Sequence, residues 1–196
     1  MTIDNTEHFF NHVSKTLNNL DLKEIDKLIE RLLVLKKELG RIFFIGVGGS
    51  AANCSHAVND FRKLCNIDSI CPLDNISELS ARINDEGWET SLVESLKASR
   101  ISKKDIIFIM SVGGGNLEKN VSVNLIKCID YALENNIDIA GIVGRDGGYT
   151  FVNGQYVIKI QCFDDKLITP IVESYQALVW HCIVSDKRLK SNPTKW

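Results

Sequence analysis

The chain begins with two stretches in which apolar residues recur every three or four positions. They span residues 6–19 and 22–39, and the second carries an apolar stripe that includes Ile25 and Leu28. This spacing places apolar side chains on one face of a helix. We therefore predict two amphipathic N-terminal helices, the second of them capped by Gly40. The stripe on the second helix would be exposed on a lone chain, which predicts a homo-oligomer.

After residue 40 the pattern changes to short apolar runs separated by amphipathic stretches. Short apolar runs are typical of strands buried on both faces, and the stretches between them have helical spacing. We predict strands at 41–45, 69–71, 106–110, 137–143 and 156–160, and helices at 51–64, 76–83, 91–99, 117–135 and 170–185. This alternation predicts an α/β fold, a three-layer sandwich with a central doubly wound parallel sheet of about five strands. Residues 1–40 would pack on the domain formed by residues 41–196 and on partner subunits.

Composition and charge exclude several functional classes. The 196 residues suit one domain, and a formal net charge of −2 without a Lys/Arg run argues against a nucleic-acid partner. The start of the chain lacks the features of a signal peptide, and the apolar runs are shorter than the roughly 20 residues of a membrane span. Six cysteines without a CxxC pair are expected to be free thiols. We therefore expect a soluble cytoplasmic protein.

Two glycine-rich turns follow predicted strands at the edge of the sheet where ligands bind in such folds. One is Gly46-Val47-Gly48-Gly49-Ser50, and the other is Ser111-Val112-Gly113-Gly114-Gly115-Asn116, which we expect at the start of a long helix. Glycine lets backbone N–H groups surround an anion, although such a turn can also serve only to reverse the chain. The predicted phosphate-binding residues are Gly48, Gly49, Ser50, Ser111, Val112, Gly113, Gly114 and Asn116. At Gly114, a valine would block the approach of a ligand to the backbone.

Neither turn matches a nucleotide fingerprint, because GxGxxG spacing is absent from the first and no GxxxxGK[ST] follows a strand. A small phosphorylated metabolite fits better than a nucleotide, and no organic cofactor is expected.

Four titratable residues have spacings that bring them together in pairs. His56 and Asp60 are one turn apart on one predicted helix, while Glu173 and His181 are two turns apart on the last helix with Gln176 between them. Each pair can border a cleft. Taken singly, each of these residues can equally be a packed or solvated side chain.

Four segments together resemble the sugar isomerase (SIS) domain, and within it the phosphoheptose isomerases. They are GVGGSAANCSHAVNDF, SVGGGN, GRDGG and the E-x-x-Q-x-x-x-x-H helix, and the resemblance runs from about residue 41 to residue 185. It implies an aldose–ketose isomerase, an intramolecular oxidoreductase that converts sedoheptulose 7-phosphate into a heptose 7-phosphate through an enediol. It also implies a homodimer or homotetramer. A non-catalytic SIS module that senses a sugar phosphate or binds a protein partner is the alternative.

The resemblance also assigns roles to individual residues. Asp60 corresponds to the catalytic base, one methylene shorter than the family's glutamate, and His181 to its acid/base partner. Because Glu173 stands where the family has an amide, these residues form a potential zinc set: His56, Asp60, Glu173 and His181. The implied substrate-binding residues are Asn53, Glu173, Gln176 and Asp85, the last of which lies in a segment that resembles the family's loop with an aspartate near the sugar hydroxyls. Val112 and Gly113 replace hydroxyl residues of the family's phosphate loop, so heptose specificity is a first assignment.

Overall fold

The structure, a computed structural model, describes residues 5–194. Within them the strands are β1 (Ile42–Gly46), β2 (Ser69–Ile70), β3 (Ile106–Ser111), β4 (Asp138–Val143) and β5 (Tyr156–Lys159). The α-helices are α1 (Asn5–Asn18), α2 (Leu22–Lys37), α3 (Gly49–Cys65), α4 (Ile76–Glu86), α5 (Trp88–Ala98), α6 (Val123–Glu134), α7 (Gly148–Asn153) and α8 (Ile168–Ser185). Short 3₁₀ turns at Pro72–Asp74 and Asp165–Leu167 precede α4 and α8.

The five strands form one parallel sheet in the order β2-β1-β3-β4-β5. The order reverses between β1 and β3, because the chain moves outward to β2 on one side and to β4 and β5 on the other. In such sheets the loops after the two strands at this switch point border a crevice. Those loops contain the two glycine-rich turns.

Helices cover both faces of the sheet, and each face has its own apolar core. One core joins α2, α3 and α8 to side chains such as Phe44 and Phe108, and the other joins α5 and α6 to Phe43 and Ile107. Alternate residues of a strand point to opposite faces, and all of β1 and β3 is buried, which explains their continuous apolar runs. The predicted three-layer fold with a parallel sheet is confirmed.

The apolar stripe of α2 packs inside the chain. Asp21 caps this helix by accepting hydrogen bonds from the N–H groups of Lys23 and Glu24. Its apolar residues Ile25, Leu28, Ile29, Leu32 and Leu35 lie in the core beside α8 and β5. The expectation that a lone chain would leave this stripe exposed is wrong, because the sheet domain itself covers it.

Several predicted element boundaries are also wrong. The helix predicted from residue 117 begins at Val123, because Asn116 and Val121 pair as an isolated antiparallel bridge and close a loop first. Gly40 is not the cap of α2: Glu38 is, and Leu39 takes the left-handed conformation that follows. The short helix α7 was not predicted.

Helix α8 is the most apolar of the long helices that the structure describes. Residues 165–185 are long and apolar enough to cross a membrane by length and composition alone, contrary to the estimate from apolar runs. Half of this stretch is buried within the protein, and Trp180 on it is fully buried. This burial is what the core helix of an α/β domain requires.

The cysteines have the surroundings expected of free thiols. All six are unpaired, and four of them lie in the interior: Cys54, Cys65, Cys71 and Cys128. Burial raises the pKa of Cys65 and of Cys71 to about 11. These two thiols are therefore protonated and poorly nucleophilic at neutral pH.

Candidate functional site

The first glycine turn presents the uncapped N-terminus of α3. Gly48 has a φ of 63°, which favours glycine, and no side chain caps the helix after it. Its carbonyl accepts from the N–H groups of Ala51 and Ala52. The space that a Cβ on Gly48 would occupy is open. The first amides of a 17-residue helix therefore face the crevice, where the helix dipole favours an anion.

The second glycine turn packs against the turn after β4. A Cβ on Gly114 would overlap the carbonyl oxygen of Gly147, and Gly114 has a φ of 69°. The carbonyl of Gly114 accepts from Thr150, both from its N–H (2.9 Å) and from its hydroxyl (2.8 Å). At this position glycine is therefore required for the close approach of two loops, in addition to any ligand.

Part of the second turn stays open. The nearest atom to a Cβ on Gly113 would be Cδ of Arg145, 4.0 Å away. Ser111 is buried, and its hydroxyl accepts from the N–H of Gly114 at 3.0 Å. A cavity of about 640 Å³ adjoins this turn and is lined by residues that include Gly113, Asn116, Lys119 and Arg145. An anion can approach the Gly113 backbone from this side.

The other two predicted residues of this turn have local backbone roles. The carbonyl of Val112 accepts from the N–H of Gly144 at 3.1 Å. The side-chain oxygen of Asn116 accepts from the N–H of Lys119 at 2.8 Å and so stabilises the loop before α6.

A polar network joins α3 to α8 behind the first turn. The Asn53 amide donates to the Gln176 side-chain oxygen and to the backbone carbonyl of Glu173, both at 2.9 Å. Gln176, which is fully buried, donates to the hydroxyl of Ser50 at 3.0 Å. These three predicted ligand-binding side chains thus hold the two helices in register.

The carboxylate of Glu173 contacts the start of α3. A Cβ on Gly49 would overlap both carboxylate oxygens of Glu173. A negative charge is favourable beside a helix N-terminus. The Glu173 carboxylate therefore supplies a favourable negative charge next to the predicted phosphate-binding amides.

Three titratable side chains meet farther along the same two helices. Asp60 lies between two imidazoles, with its Oδ2 3.6 Å from Nε2 of His181 and 4.0 Å from Nε2 of His56. The Asp60 side chain is 14% exposed, whereas those of His56 and His181 are 58% and 49% exposed. The buried ring of Trp180 packs against both imidazoles and limits their movement.

This His56–Asp60–His181 group can hold a metal ion. One ligand atom from each residue lies within 4.8 Å of the others, and two imidazoles with a carboxylate are ligands that zinc accepts. Glu173 does not join them within one chain. Its eight-residue separation from His181 corresponds to about 12 Å along the helix.

Asp85 lies apart from the loop role predicted for it. It belongs to the last turn of α4 rather than to a loop, is exposed, and accepts a hydrogen bond from the Asn84 side chain at 2.7 Å. Asn75 caps α4 by accepting from the N–H of Glu78.

Two cationic residues in the cavity were missed by sequence reasoning. Arg145 follows Gly144 in the turn after β4 and has a φ of 50°, and Lys119 lies in the loop before α6. The position of Arg145 after a strand at the ligand-binding edge was the available signal. Lys119 could not be recognised as a cavity residue until the loop that contains it was known.

The two parts of the site are well separated within one chain. Gly49 and Asp60 lie on the same helix eleven residues apart, which corresponds to about 16 Å. The glycine turns therefore lie at one end of α3, and the acid/base group lies near the other.

The chain is similar to known proteins both in sequence and in fold. No family model matches the chain. The lincomycin biosynthesis protein LmbN of Streptomyces lincolnensis is 30% identical over 150 residues, 74% of this chain and 54% of that protein, so the chain spans about half of its length. The phosphoheptose isomerase of Aneurinibacillus thermoaerophilus is 25% identical over 190 residues, 90% of each chain. The predicted resemblance to phosphoheptose isomerases is confirmed.

Solved structures agree on the fold. A phosphoheptose isomerase from Neisseria gonorrhoeae superposes with a TM-score of 0.78 at 20% identity, over 91% of this chain and 94% of that one. A Vibrio vulnificus NanR protein, solved with ManNAc-6P, gives 0.61 at 16% identity, over 91% of this chain and 59% of that one. The chain thus shares its fold with both of these proteins.

Proposed function

We propose that this chain is an aldose–ketose isomerase that converts sedoheptulose 7-phosphate into a heptose 7-phosphate. The observation that carries the proposal is the position of Asp60, a largely buried carboxylate between two more exposed imidazoles. A carboxylate and an imidazole in contact supply the base and the acid that such a reaction needs. The names of the sequence relatives support the same reaction and the sugar-phosphate class.

The proposed reaction moves two protons. The Asp60 carboxylate takes a proton from C1 of the ketose while His181 donates one to the C2 carbonyl oxygen, which gives an enediol. Removal of the proton on the C1 oxygen and return of a proton to C2 then give the aldose. His56 stabilises the charge that develops on the oxygens. The phosphate is held by the N–H groups of the glycine turns, with Ser50, Ser111 and Asn116 around them.

Two copies of the chain complete each site in this proposal. The spacing of about 16 Å between Gly49 and Asp60 along α3 is longer than the distance from the reacting carbons of a seven-carbon sugar to its phosphate. A second copy whose glycine turns face the Asp60 group removes this mismatch. The proposed assembly is a homodimer or homotetramer.

Light scattering tests the assembly. The N-terminal helices leave Phe10, Leu17, Leu22 and Val34 exposed, and a second copy of the chain could cover these apolar side chains. We expect a mass of two or four chains at micromolar concentration, reduced when Phe10 and Leu17 are both changed to serine. A monomeric mass for the unaltered chain would contradict both the assembly and the shared site.

Zinc is proposed for a second version of the site, in which His56, Asp60 and His181 would hold the ion and Asp60 and His181 would not themselves transfer the substrate protons. A bound zinc ion polarises a carbonyl oxygen and so favours enediol formation. If turnover depends on it, a chelator should remove activity, and added Zn²⁺ should restore it. Activity that persists in chelator with metal-free protein would show that the three side chains act without a metal.

Ser111 offers a test of phosphate binding. We expect Ser111→Ala to weaken substrate binding by about tenfold to a hundredfold, because a hydrogen bond to a charged group contributes roughly 1.5–3 kcal/mol. Titration calorimetry with a sugar phosphate measures the change, and Ser102→Ala, in the loop before β3, is the control. Equal affinity in Ser111→Ala and the parent protein would exclude this hydroxyl from the phosphate site.

An exchange experiment tests the activity itself. The protein is incubated in deuterated water with a panel of ketose phosphates, and deuterium at the carbon beside the carbonyl is followed by NMR. An isomerase incorporates deuterium into its own substrate, and we expect the largest incorporation with sedoheptulose 7-phosphate. Binding without incorporation for every sugar would favour the alternative, a sugar-phosphate sensor or adaptor.

Location and other partners follow from the same proposal. We still predict a cytoplasmic protein that binds small sugar phosphates and binds neither nucleic acid nor a membrane.

A further inference from the structure

A second group of metal-ligand side chains lies outside the site described above. His8 and His12 are four residues apart on α1, so they share one face of the helix. Asp164 approaches them from the segment that joins β5 to α8, with its Oδ2 2.8 Å from Nε2 of His8. One ligand atom from each of the three residues lies within 4.8 Å of the others.

The hydrogen bond between His8 and Asp164 does not involve His12. Its ring centroid lies 4.5 Å from that of His8, and its Nδ1 is buried without a hydrogen-bond partner. A buried ring nitrogen without a partner is costly. The imidazole therefore has an unused position for a ligand.

Asp164 is held ready to bind a cation. Its Oδ1 accepts from the N–H of Lys166 at 2.9 Å, which leaves Oδ2 directed to His8. Such support of a ligand by backbone groups is typical of metal sites.

We propose that His8, His12 and Asp164 form a second metal site, which takes a transition-metal dication of the zinc type. Two imidazoles and one carboxylate form a common ligand set for such ions. The side chains of His8 and Asp164 are 42% and 22% exposed, so water completes the coordination. Ligands about 2.0–2.1 Å from a tetrahedral zinc lie about 3.3 Å apart, so the pair now 2.8 Å apart opens by about half an ångström.

The site would fasten α1 to the segment before α8. Farther along α1, the Thr16 hydroxyl donates to the Gln161 carbonyl at 3.0 Å, and Tyr175 of α8 donates to the Val13 carbonyl at 2.5 Å. A metal at His8 and His12 extends this attachment toward the start of α1. Its role is structural, and it does not depend on the isomerase activity.

Zinc titration distinguishes this site from the His56–Asp60–His181 group. In a His56→Gln/His181→Gln background we expect one Zn²⁺ per chain by calorimetry, visible absorption with Co²⁺, and a zinc-dependent rise in melting temperature. Adding His8→Gln and His12→Gln should abolish all three signals.

A milder variant covers the case in which the fourfold variant does not fold. Asp164→Asn keeps an oxygen for the Lys166 N–H but removes the charge, so zinc affinity should fall by about tenfold to a hundredfold. Absence of zinc binding in the background protein, or binding with unchanged affinity in Asp164→Asn, would overturn the proposal.

Discussion

Gly114→Val is expected to lower the melting temperature by about 5–20 °C, since 1 kcal/mol corresponds to roughly 2–4 °C in a chain of this size. Two effects add. Gly114 has a left-handed φ of 69°, which a β-branched residue adopts at a cost of about 1–3 kcal/mol. Its new Cβ would also overlap the carbonyl of Gly147, and overpacking costs typically about 1–3 kcal/mol more. Thermal unfolding followed by circular dichroism measures the change.

Gly113→Ala is the matched control for this variant. Gly113 lacks a positive φ, and its Cβ would meet only the Arg145 side chain at 4.0 Å. Its melting temperature should therefore stay within about 2 °C of the parent, because such surface changes cost roughly 0.5 kcal/mol or less. If a phosphate approaches the Gly113 backbone, this variant should lose affinity without losing stability. Equal melting temperatures for Gly114→Val and the parent would contradict the close packing of the two loops.

The structure changes the explanation that the sequence suggested for the second glycine turn. The sequence correctly predicted glycines at the ligand-binding edge, after β3. It could not show that Gly114 meets Gly147, because that contact joins loops 33 residues apart. The triplet also lies in a loop rather than at a helix start, since α6 begins at Val123. The composition of residues 117–122 favours a helix, but the bridge between Asn116 and Val121 holds them in a loop instead.

The acid/base group was predicted in part. His56 and Asp60 are neighbours because of their four-residue spacing, and that was visible in the sequence. The contact between Asp60 and His181 depends on the packing of α3 against α8, for which only the resemblance gave a reason. The same packing directs Glu173 to Gly49, about 12 Å along α8 from His181.

Long-range partners explain what the sequence could not reveal. The stripe on α2 looked like an oligomer contact, because its periodicity shows an apolar face without showing what covers it. His8 and His12 showed no partner in the sequence, since Asp164 lies 156 residues after His8. Periodicity predicts elements, whereas contacts between distant elements require the tertiary structure.

Asp60→Asn is expected to lower turnover by about 10²- to 10⁴-fold, because the amide keeps the size of the side chain but cannot accept the substrate proton. Asp60 Oδ1 accepts from the Asn59 side chain at 2.9 Å, and asparagine can preserve this contact. Substrate affinity should therefore change little, so that kcat and kcat/KM fall together. His181→Gln should have a similar effect, because it removes the proton donor opposite the carbonyl. Steady-state kinetics with the sugar phosphate selected by deuterium exchange measures both.

Asp68→Asn controls for the loss of a carboxylate near the end of α3. Asp68 lies beyond this helix, is 58% exposed, and pairs with Arg62 at 3.9 Å. An exposed pair of this kind contributes roughly 0–1 kcal/mol, so its removal should leave both turnover and folding unchanged. If Asp60→Asn and His181→Gln also keep parent-level turnover and deuterium exchange, then the pair does not move the substrate protons. The protein would then bind a sugar phosphate without converting it, which is the behaviour of a sensor.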